Sequence, residues 1–375
     1  MLLSRFYQNL DQYLKPNRVL VIYGPRRVGK TTLLQQYLRQ TKYTYKLDSG
    51  DNILVQQVLS SRNFEQIFEY ARGYDLIALD EAQHIPQIGW GLKILADEIP
   101  GIRIIATGSS SFELSGQVGE PLTGRKRTLI LYPLSQLELK NHYNQFELEQ
   151  KLPEFLIFGS YPEVLVAKSK KEKRVILEEL VGSYLLKDVL ELEKIKSAKI
   201  LLDLLRLLAF QVGSEVSLTE LGSNLGIDRK TVSRYLDLFE KSFIVFNLRG
   251  YSRNLRTEIV KKSKYYFYDN GVRNALIANF NPPNLRNDLG QLWENFVISE
   301  RIKYQHYRQI FANNYFWRTW SQQEIDWVEE RKGKLFGYEI KWGTKKGKLP
   351  SEWRQNYPKA KFKTINQKNY LSFVS

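Results

Sequence analysis

A glycine-rich segment near the N-terminus has residue types and a spacing that can cradle phosphate groups. Gly24 and Gly29 enclose Pro-Arg-Arg-Val and are followed by Lys30 and Thr31, which gives the pattern G-x-x-x-x-G-K-[ST]. VLVIY precedes this segment and TTLLQQYLRQ follows it, so we expect a strand, a loop and a helix whose free N–H groups face the phosphates. Lys30 would reach the β- and γ-phosphates of ATP, and the Thr31 hydroxyl would bind Mg²⁺. The alternative is a Gly-Pro turn that merely precedes a helix.

Polar residues at two further strand ends would complete such a site. DLIALDEAQ predicts a buried strand with Asp80 and Glu81 at its carboxyl end, where α/β proteins bind ligands. Asp80 is predicted to hold Mg²⁺ and Glu81 to activate the attacking water, against a helix-cap alternative. RIIATGSS brings Thr107, Ser109 and Ser110 to another strand end, and Ser109 is preferred as a γ-phosphate sensor over an N-cap. The predicted nucleotide-binding residues are Gly24, Pro25, Arg26, Arg27, Val28, Gly29, Lys30, Thr31, Thr32, Asp80 and Ser109.

Acidic residues near the C-terminus fall on two consecutive predicted strands. Strand alternation puts Glu339 and Lys341 of LFGYEIKW on one face, and EIDWVEE presents Asp326. If residues 332–333 (Lys-Gly) form a two-residue turn, Asp326 faces Glu339 and Glu324 faces Lys341. Opposed carboxylates repel unless a cation lies between them, and a divalent cation with oxygen ligands is the economical explanation. The alternative is a surface pair between Glu324 and Lys341.

The middle of the chain has the pattern of a helix-turn-helix. SLTELGSNLG and DRKTVSRYLDLFEKSFIV predict two helices, with Gly226 in the turn and Asp228 capping the second helix. FNLRGYSRNLR then resembles a basic wing, and the alternative is a module used only for packing or protein docking. The predicted DNA-binding residues, near the start of the second helix, are Arg229, Lys230, Ser233 and Arg234.

Composition narrows the function classes. The chain has 375 residues with 56 Lys and Arg against 40 Asp and Glu, a net charge of +16 that favours a polyanionic partner such as DNA. The C-terminal residues 289–375 contribute half of it, with 16 basic and eight acidic residues. The absence of cysteine excludes disulfides, cysteine-ligated zinc and cysteine nucleophiles. No apolar run is long enough for a membrane span, so a soluble, cytoplasmic protein without a membrane partner is expected.

The order of these patterns predicts an α/β fold with several domains. Strand and helix signals alternate over residues 19–130, as in a parallel sheet, and residues 136–215 turn helical. The predicted architecture is a P-loop ATPase core with a parallel sheet, then a helical and winged-helix module, then an α/β restriction-endonuclease-like domain. The predicted boundaries are 1–135 for the ATPase core, 136–200 for a helical lid or linker, 201–285 for the winged helix and 286–375 for the nuclease-like domain.

Five segments together resemble a known family. GPRRVGKTTLL, ALDEAQ, IIATGSSSFEL, LTGRKRTLILYPLS and FGSYPEVL are similar to the AAA-like P-loop ATPases of archaea and bacteria that carry a C-terminal nuclease-like domain. The resemblance implies that Arg125 in LTGR is an arginine finger or sensor, against the alternative of a surface cation. The C-terminal pattern is similar to the PD-(D/E)xK nucleases, with Ile325 where that family has proline. It implies Glu294, Asp326 and Glu339 as Mg²⁺ ligands and Lys341 as the residue that orients water.

The sequence therefore predicts an ATP- and Mg²⁺-dependent ATPase that engages DNA, and it leaves open whether the C-terminal domain also cleaves DNA with Mg²⁺. The alternative is a nucleotide-gated switch that binds protein partners and carries an inactive nuclease-like domain. A third alternative is a mobile-element or defence factor. Protein partners and a homo-oligomer are both left open by the sequence.

Overall fold

Two sheets organise the protein. A computed structural model describes residues 3–109, 121–185, 189–190, 197–252 and 263–375. Within these residues one sheet has five strands and lies in the N-terminal part, and the other has six strands and lies in the C-terminal part. The predicted α/β class, with a parallel sheet first and a second sheet after it, is confirmed.

The N-terminal sheet is parallel, with strand order β2-β3-β4-β1-β5. Its strands are β1 (Arg18–Tyr23), β2 (Tyr45–Ser49), β3 (Leu76–Asp80), β4 (Arg103–Gly108) and β5 (Lys126–Ile130). Its helices are α1 (Lys30–Leu38), α2 (Ile53–Ser60), α3 (Phe64–Ala71) and α4 (Ile88–Glu98).

Helices cover both faces of this sheet because its central strands are apolar on both sides. Leu20 and Ile22 of β1 pack into one core with residues of α1. Val19 and Val21, which point the other way, pack into a second core with residues of α2, α3 and α4. A parallel sheet buried in this way exposes mainly its strand ends, and the carboxyl ends are where polar loops collect.

Short helices follow the first sheet. They are α5 (Gln136–Leu139), α6 (Gln145–Phe158), α7 (Pro162–Val166), α8 (Lys170–Glu179) and α9 (Ala198–Phe210), and a π-helical turn, Leu180–Tyr184, extends α8. Next come α10 (Leu218–Leu225) and α11 (Arg229–Lys241). Gly226 ends α10 in a left-handed conformation, and the Asp228 side chain caps α11 by accepting from the Lys230 and Thr231 N–H groups. The predicted turn and cap are therefore present.

The second sheet has strand order β11-β10-β9-β8-β6-β7. Its strands are β6 (Val245–Gly250), β7 (Ser263–Phe267), β8 (Asn313–Arg318), β9 (Glu324–Arg331), β10 (Lys334–Ile340) and β11 (Lys361–Ile365). The remaining helices are α12 (Asn270–Leu276), α13 (Leu289–Tyr307), α14 (Ser351–Asn356) and α15 (Leu371–Val374). Strand β6 pairs in parallel with β8, so the hairpin that follows α11 belongs to the same sheet as the C-terminal strands.

The β9–β10 hairpin has the predicted register. Lys332 and Gly333 both have positive φ, at 49° and 69°, as a two-residue turn requires. Arg331 then pairs with Lys334, and Trp327 with Tyr338. Asp326 and Glu339 are the residues that follow this last pair, beyond the end of the ladder.

None of the helices in the described part of the chain combines the length and the apolar character that crossing a bilayer requires.

Candidate functional site

The glycine-rich segment forms a tight loop between β1 and α1. Gly24 has φ 153°, and a Cβ there would lie 2.1 Å from the Leu131 carbonyl oxygen, so only glycine fits. Gly29 has φ 92° and is the residue before the first turn of α1, a conformation that suits glycine. The backbone therefore curls back on the start of α1, the geometry through which helix N–H groups bind phosphate.

Lys30 closes the mouth of this loop. Its ammonium group is buried, with 5% of the residue exposed, and donates to the Gly24 and Pro25 carbonyl oxygens, each at 3.0 Å. An ammonium group that donates to these carbonyl oxygens can exchange them for the charged oxygens of a phosphate. Among the other predicted loop residues, Val28 is buried, Arg26 and Arg27 are half-buried, and Thr32 is exposed on α1.

Thr31 and Asp80 line one cavity beside the loop. The cavity has a volume of about 280 Å³ and also includes Asp48 and Ser49 at the end of β2. The hydroxyl of Thr31 and the carboxylate of Asp80 are hard oxygen donors, so this pair fits a hydrated Mg²⁺ ion. Asp48 is a further carboxylate at the site, and nothing in its local sequence distinguishes it from a surface residue.

Hydrogen bonds hold the two acidic residues at the end of β3, Asp80 and Glu81, in place. Thr107 at the end of β4 donates to the Asp80 carboxylate and accepts from the Glu81 N–H at 3.2 Å. Glu81 has φ 50°, and its carboxylate accepts from the side-chain amide of Gln83. The amide oxygen of Gln83 accepts in turn from the Ser109 N–H at 3.3 Å. The structure thus brings Asp80, Glu81 and Ser109 to one end of the sheet, whereas Ser110 lies outside the described residues.

Arg5 stabilises the phosphate loop through a hydrogen bond to its backbone. Nothing in the sequence around Arg5 predicts this contact. It is 5% exposed and donates to the Val28 carbonyl at 2.9 Å, to Glu138 at 2.9 Å and to the Tyr132 carbonyl at 2.5 Å. Glu138 lies on α5 with none of its side chain exposed. One buried ion pair therefore ties the phosphate loop to the segment after β5.

Arg125 lies at the opposite end of the sheet from the chain's own phosphate loop. It precedes β5, which runs parallel to β1 with Lys126 opposite Val19, whereas the loop follows the other end of β1. Five strand residues separate these ends, about 16 Å. The guanidinium pairs with Asp97 of α4 at 2.5 Å. A finger role toward a neighbouring subunit stays a prediction.

The four predicted DNA-binding residues are all exposed on α11, but only two of them line the cavity beside this helix. Arg229 and Ser233 line a cavity of about 770 Å³ between α11 and the β6–β7 hairpin. Asp237 and Glu240 line the same cavity further along the helix, and burial raises the pKa of Glu240 to about 7. Charges of both signs therefore line the cavity, since Arg249 and Glu215 also belong to its lining. Within the predicted basic wing, residues 253–256 lie outside the described part of the chain.

The C-terminal acids lie close enough to influence one another. Asp326 is 8% exposed and accepts from the Ile340 N–H at 2.7 Å. Burial, reinforced by the charges of Glu294 and Glu339, raises the pKa of Asp326 well above its usual range. Glu294 on α13 accepts from the Tyr266 hydroxyl at 2.6 Å, and Glu339 pairs with Lys341 at 2.6 Å.

Lys264 supplies a cation in this acidic centre that the sequence gave no reason to expect. It lies on β7, is 3% exposed, pairs with Glu324 and lies 3.9 Å from Glu294. Burial alone would lower the pKa of Lys264, but the two carboxylates outweigh it and raise the pKa. Glu324 therefore pairs with Lys264, where the alternative reading of the hairpin expected Lys341.

The predicted C-terminal metal ligands lie beside two lysine side chains. Across the ranges that the structure describes, no group of three or more His, Asp or Glu side chains is arranged to hold a metal ion. Two ammonium groups, of Lys264 and Lys341, supply positive charge where the sequence predicts Mg²⁺. Mg²⁺ coordination by Glu294, Asp326 and Glu339 stays a prediction.

Comparison with known families agrees with the N-terminal site. Residues 16–140 match a family described as an AAA domain. Residues 149–283 and 289–371 match two domains of unknown function, DUF8612 and DUF4143. The fold and loop thus define an AAA-type P-loop ATPase domain followed by two further domains.

Three relatives share most of the chain. An uncharacterized protein of Haemophilus influenzae is 30% identical over 327 residues, which are 80% of this chain and 78% of that protein. The uncharacterized proteins MJ1544 of Methanocaldococcus jannaschii and Rv2008c of Mycobacterium tuberculosis are 28% and 26% identical, over 78% and 86% of this chain and 68% and 70% of theirs. The chain therefore belongs to the same family as the Haemophilus influenzae protein, and the AAA domain matches residues 16–140 of this chain.

Similarity to solved structures is limited. The RuvB Holliday junction branch migration motor of Thermotoga maritima aligns over 64% of this chain and 83% of that chain, at 18% identity. The TM-score of 0.31 is too low to establish a common overall fold.

Proposed function

We propose that the protein hydrolyses ATP at its N-terminal site and that the nucleotide state controls its engagement of DNA. The observation that carries the ATPase proposal is the loop geometry, in which Lys30 closes the mouth while Thr31 and Asp80 share a cavity. Glu81 lies beside this cavity at the end of the same strand as Asp80. These are the parts that phosphoryl transfer to water requires: cation, metal ligands and base.

Each residue has a distinct task in this proposal. Lys30 exchanges its two carbonyl contacts for the β- and γ-phosphates, and the loop N–H groups fix the phosphate chain. Thr31 and Asp80 hold Mg²⁺, which neutralises the charge that develops on the phosphates. Glu81 accepts the proton of the attacking water, and the amide of Gln83 orients its carboxylate.

Paired substitutions at Lys30 and Glu81 test the ATPase proposal. Lys30→Ala should lose ATP binding and hydrolysis, because it removes the ammonium group at the mouth of the loop. Glu81→Gln should retain ATP binding and lose hydrolysis by about 100-fold or more, because an amide is a poor base. Equilibrium binding and phosphate release are the measurements. Hydrolysis by Glu81→Gln at the wild-type rate would exclude Glu81 as the base.

DNA engagement is supported by charge rather than by a shaped groove. The four exposed side chains at the start of α11 and the +8 charge of residues 289–375 favour contact with phosphates. Arg229 and Arg234 are the arginines among these side chains, so phosphate contact is expected at these two residues. We therefore expect DNA at the N-terminal half of α11.

A polar cavity with both charge signs also favours the alternative of a docked protein segment. Arg229 and Arg249 line this cavity together with Glu215, Asp237 and Glu240, which would complement a segment that carries both charges. Cleavage of DNA by the C-terminal domain is a weaker proposal, because Lys264 already supplies a cation to Glu294 and Glu324. We favour binding without cleavage for this domain.

A further inference from the structure

Arg27 in the phosphate loop contacts two carboxylates from the helices that follow the ATPase sheet. Its guanidinium lies 3.3 Å from Glu163 and 3.7 Å from Glu179. Glu163 is in the first turn of α7 and Glu179 is the last residue of α8. Three segments far apart in sequence thus meet at one loop side chain.

This contact is half-exposed and therefore exchangeable. The Arg27 side chain is 27% exposed, and those of Glu163 and Glu179 are 49% and 57% exposed. Ion pairs of this kind stabilise by little, because water competes with both partners. A nucleotide phosphate in the loop would offer the same guanidinium more negative charge than the two carboxylates do.

The backbone places Arg27 where phosphate would lie. Arg27 is in the middle of the loop, at φ 62°, and the next residue, Val28, is fixed by the buried Arg5. The loop around Arg27 is therefore rigid while its side chain is partly in solvent. Two carboxylates next to a loop that receives a polyanion also repel that polyanion, unless Arg27 compensates for them.

We propose that Arg27 exchanges Glu163 and Glu179 for the nucleotide phosphates, so that the contacts of α7 and α8 with the loop form when the loop is empty and break when it fills. This inference rests on the proposed ATP binding and assigns Glu163 and Glu179 as regulatory residues of that site. The two glutamates weaken ATP binding, because their contacts with Arg27 must break first.

The first test measures ATP affinity after the carboxylates are neutralised. Glu163→Gln with Glu179→Gln should bind ATP about two- to thirtyfold more tightly, the range expected from losing two exposed ion pairs that compete with it. Glu178→Gln is the matched control, because Glu178 is also on α8 and half-exposed but pairs with Arg174 at 2.7 Å. Equal affinity of the double variant and the control would overturn the inference.

A second background separates the specific contact from a general field of negative charge. In Arg27→Gln, the double glutamine change should alter ATP affinity less than twofold, whereas in Arg27→Lys it should still strengthen binding. If the glutamine changes act equally with and without a cation at position 27, the carboxylates act only through their field, and the exchange is wrong.

Hydrogen exchange reports the breaking of the contact itself. Adding ATP to the wild-type protein should speed amide exchange at the C-terminal end of α8, which carries Glu179, and the double variant should show this faster exchange before ATP is added. Unchanged exchange at this end in the wild type at saturating ATP would contradict the loss of the contact. Loss of ATP binding by the wild type itself would instead refute the proposed function, which the Lys30→Ala comparison identifies separately.

Discussion

Replacing Lys264 with methionine tests whether the acidic centre is neutralised from within. The substitution keeps the length and the apolar stem of a side chain that is 3% exposed, and removes only the ammonium group. Glu294 and Glu324 then lose their nearest cation, in a site where Asp326 is already protonated more readily than usual because of burial. We expect a local loss of stability.

The size of this loss follows from burial. Removing one partner of a fully buried ion pair costs about 3–5 kcal/mol. The side chains of Glu294 and Glu324 are 16% and 28% exposed, and Glu294 keeps its bond from Tyr266, so solvent and this hydroxyl recover part of the loss. A decrease of about 2–3 kcal/mol in local opening free energy is therefore expected.

Native-state hydrogen exchange of the β7 and β9 amides measures this quantity without requiring the whole chain to unfold. Lys334→Met is the control, since Lys334 is exposed on β10 and should change the opening free energy by less than about 0.5 kcal/mol. Without nucleotide, Mn²⁺ should leave the exchange rates of the wild type unchanged. It should slow exchange in Lys264→Met, because Glu294 and Glu324 have lost the lysine cation there and a bound ion would replace it. Adding Asp326→Asn to Lys264→Met should weaken this effect of Mn²⁺ on hydrogen exchange.

Two results would refute this reasoning. If Lys264→Met exchanges like the Lys334→Met control, Lys264 does not stabilise the acidic centre. If Mn²⁺ slows exchange at β9 in the wild type, the centre binds a divalent cation despite Lys264. That result would support the Mg²⁺ site predicted from the sequence.

Two further predictions concern Arg5 and DNA. Arg5→Met should lower the free energy of unfolding by about 3–5 kcal/mol, because it leaves Glu138 buried without its cation. It should also weaken ATP binding, because the Val28 carbonyl loses its hydrogen bond. Thermal unfolding and ATP titration measure the two effects, and wild-type ATP affinity in a destabilised variant would limit Arg5 to a role in folding. Arg229→Ala with Arg234→Ala should lower duplex affinity and reduce the slope of log affinity against log salt by about one unit for each lost phosphate contact; an unchanged slope would favour the protein-docking alternative for α11.

Local patterns predicted much of the N-terminal site. The order strand, loop, helix follows from VLVIY, the two glycines and TTLLQQYLRQ, because each element depends on neighbouring residues. The β9–β10 register also followed from sequence, since a two-residue turn at 332–333 leaves one pairing. The cap at Asp228 depends only on the next three residues. Such features need no knowledge of distant segments.

What the sequence by itself determined was therefore the phosphate loop, the strand ends that carry Asp80 and Glu81, and the face of the hairpin that carries Asp326. Only the tertiary structure decided which charges meet. Arg5 pairs with Glu138, Arg27 with Glu163, and Lys264 with Glu324, each across at least 60 residues. It also put Arg125 at the far end of the sheet, which strand direction decides and the motif does not. The physical reason is that an ion pair depends on how whole elements pack, and a local pattern specifies only the element in which each charge lies.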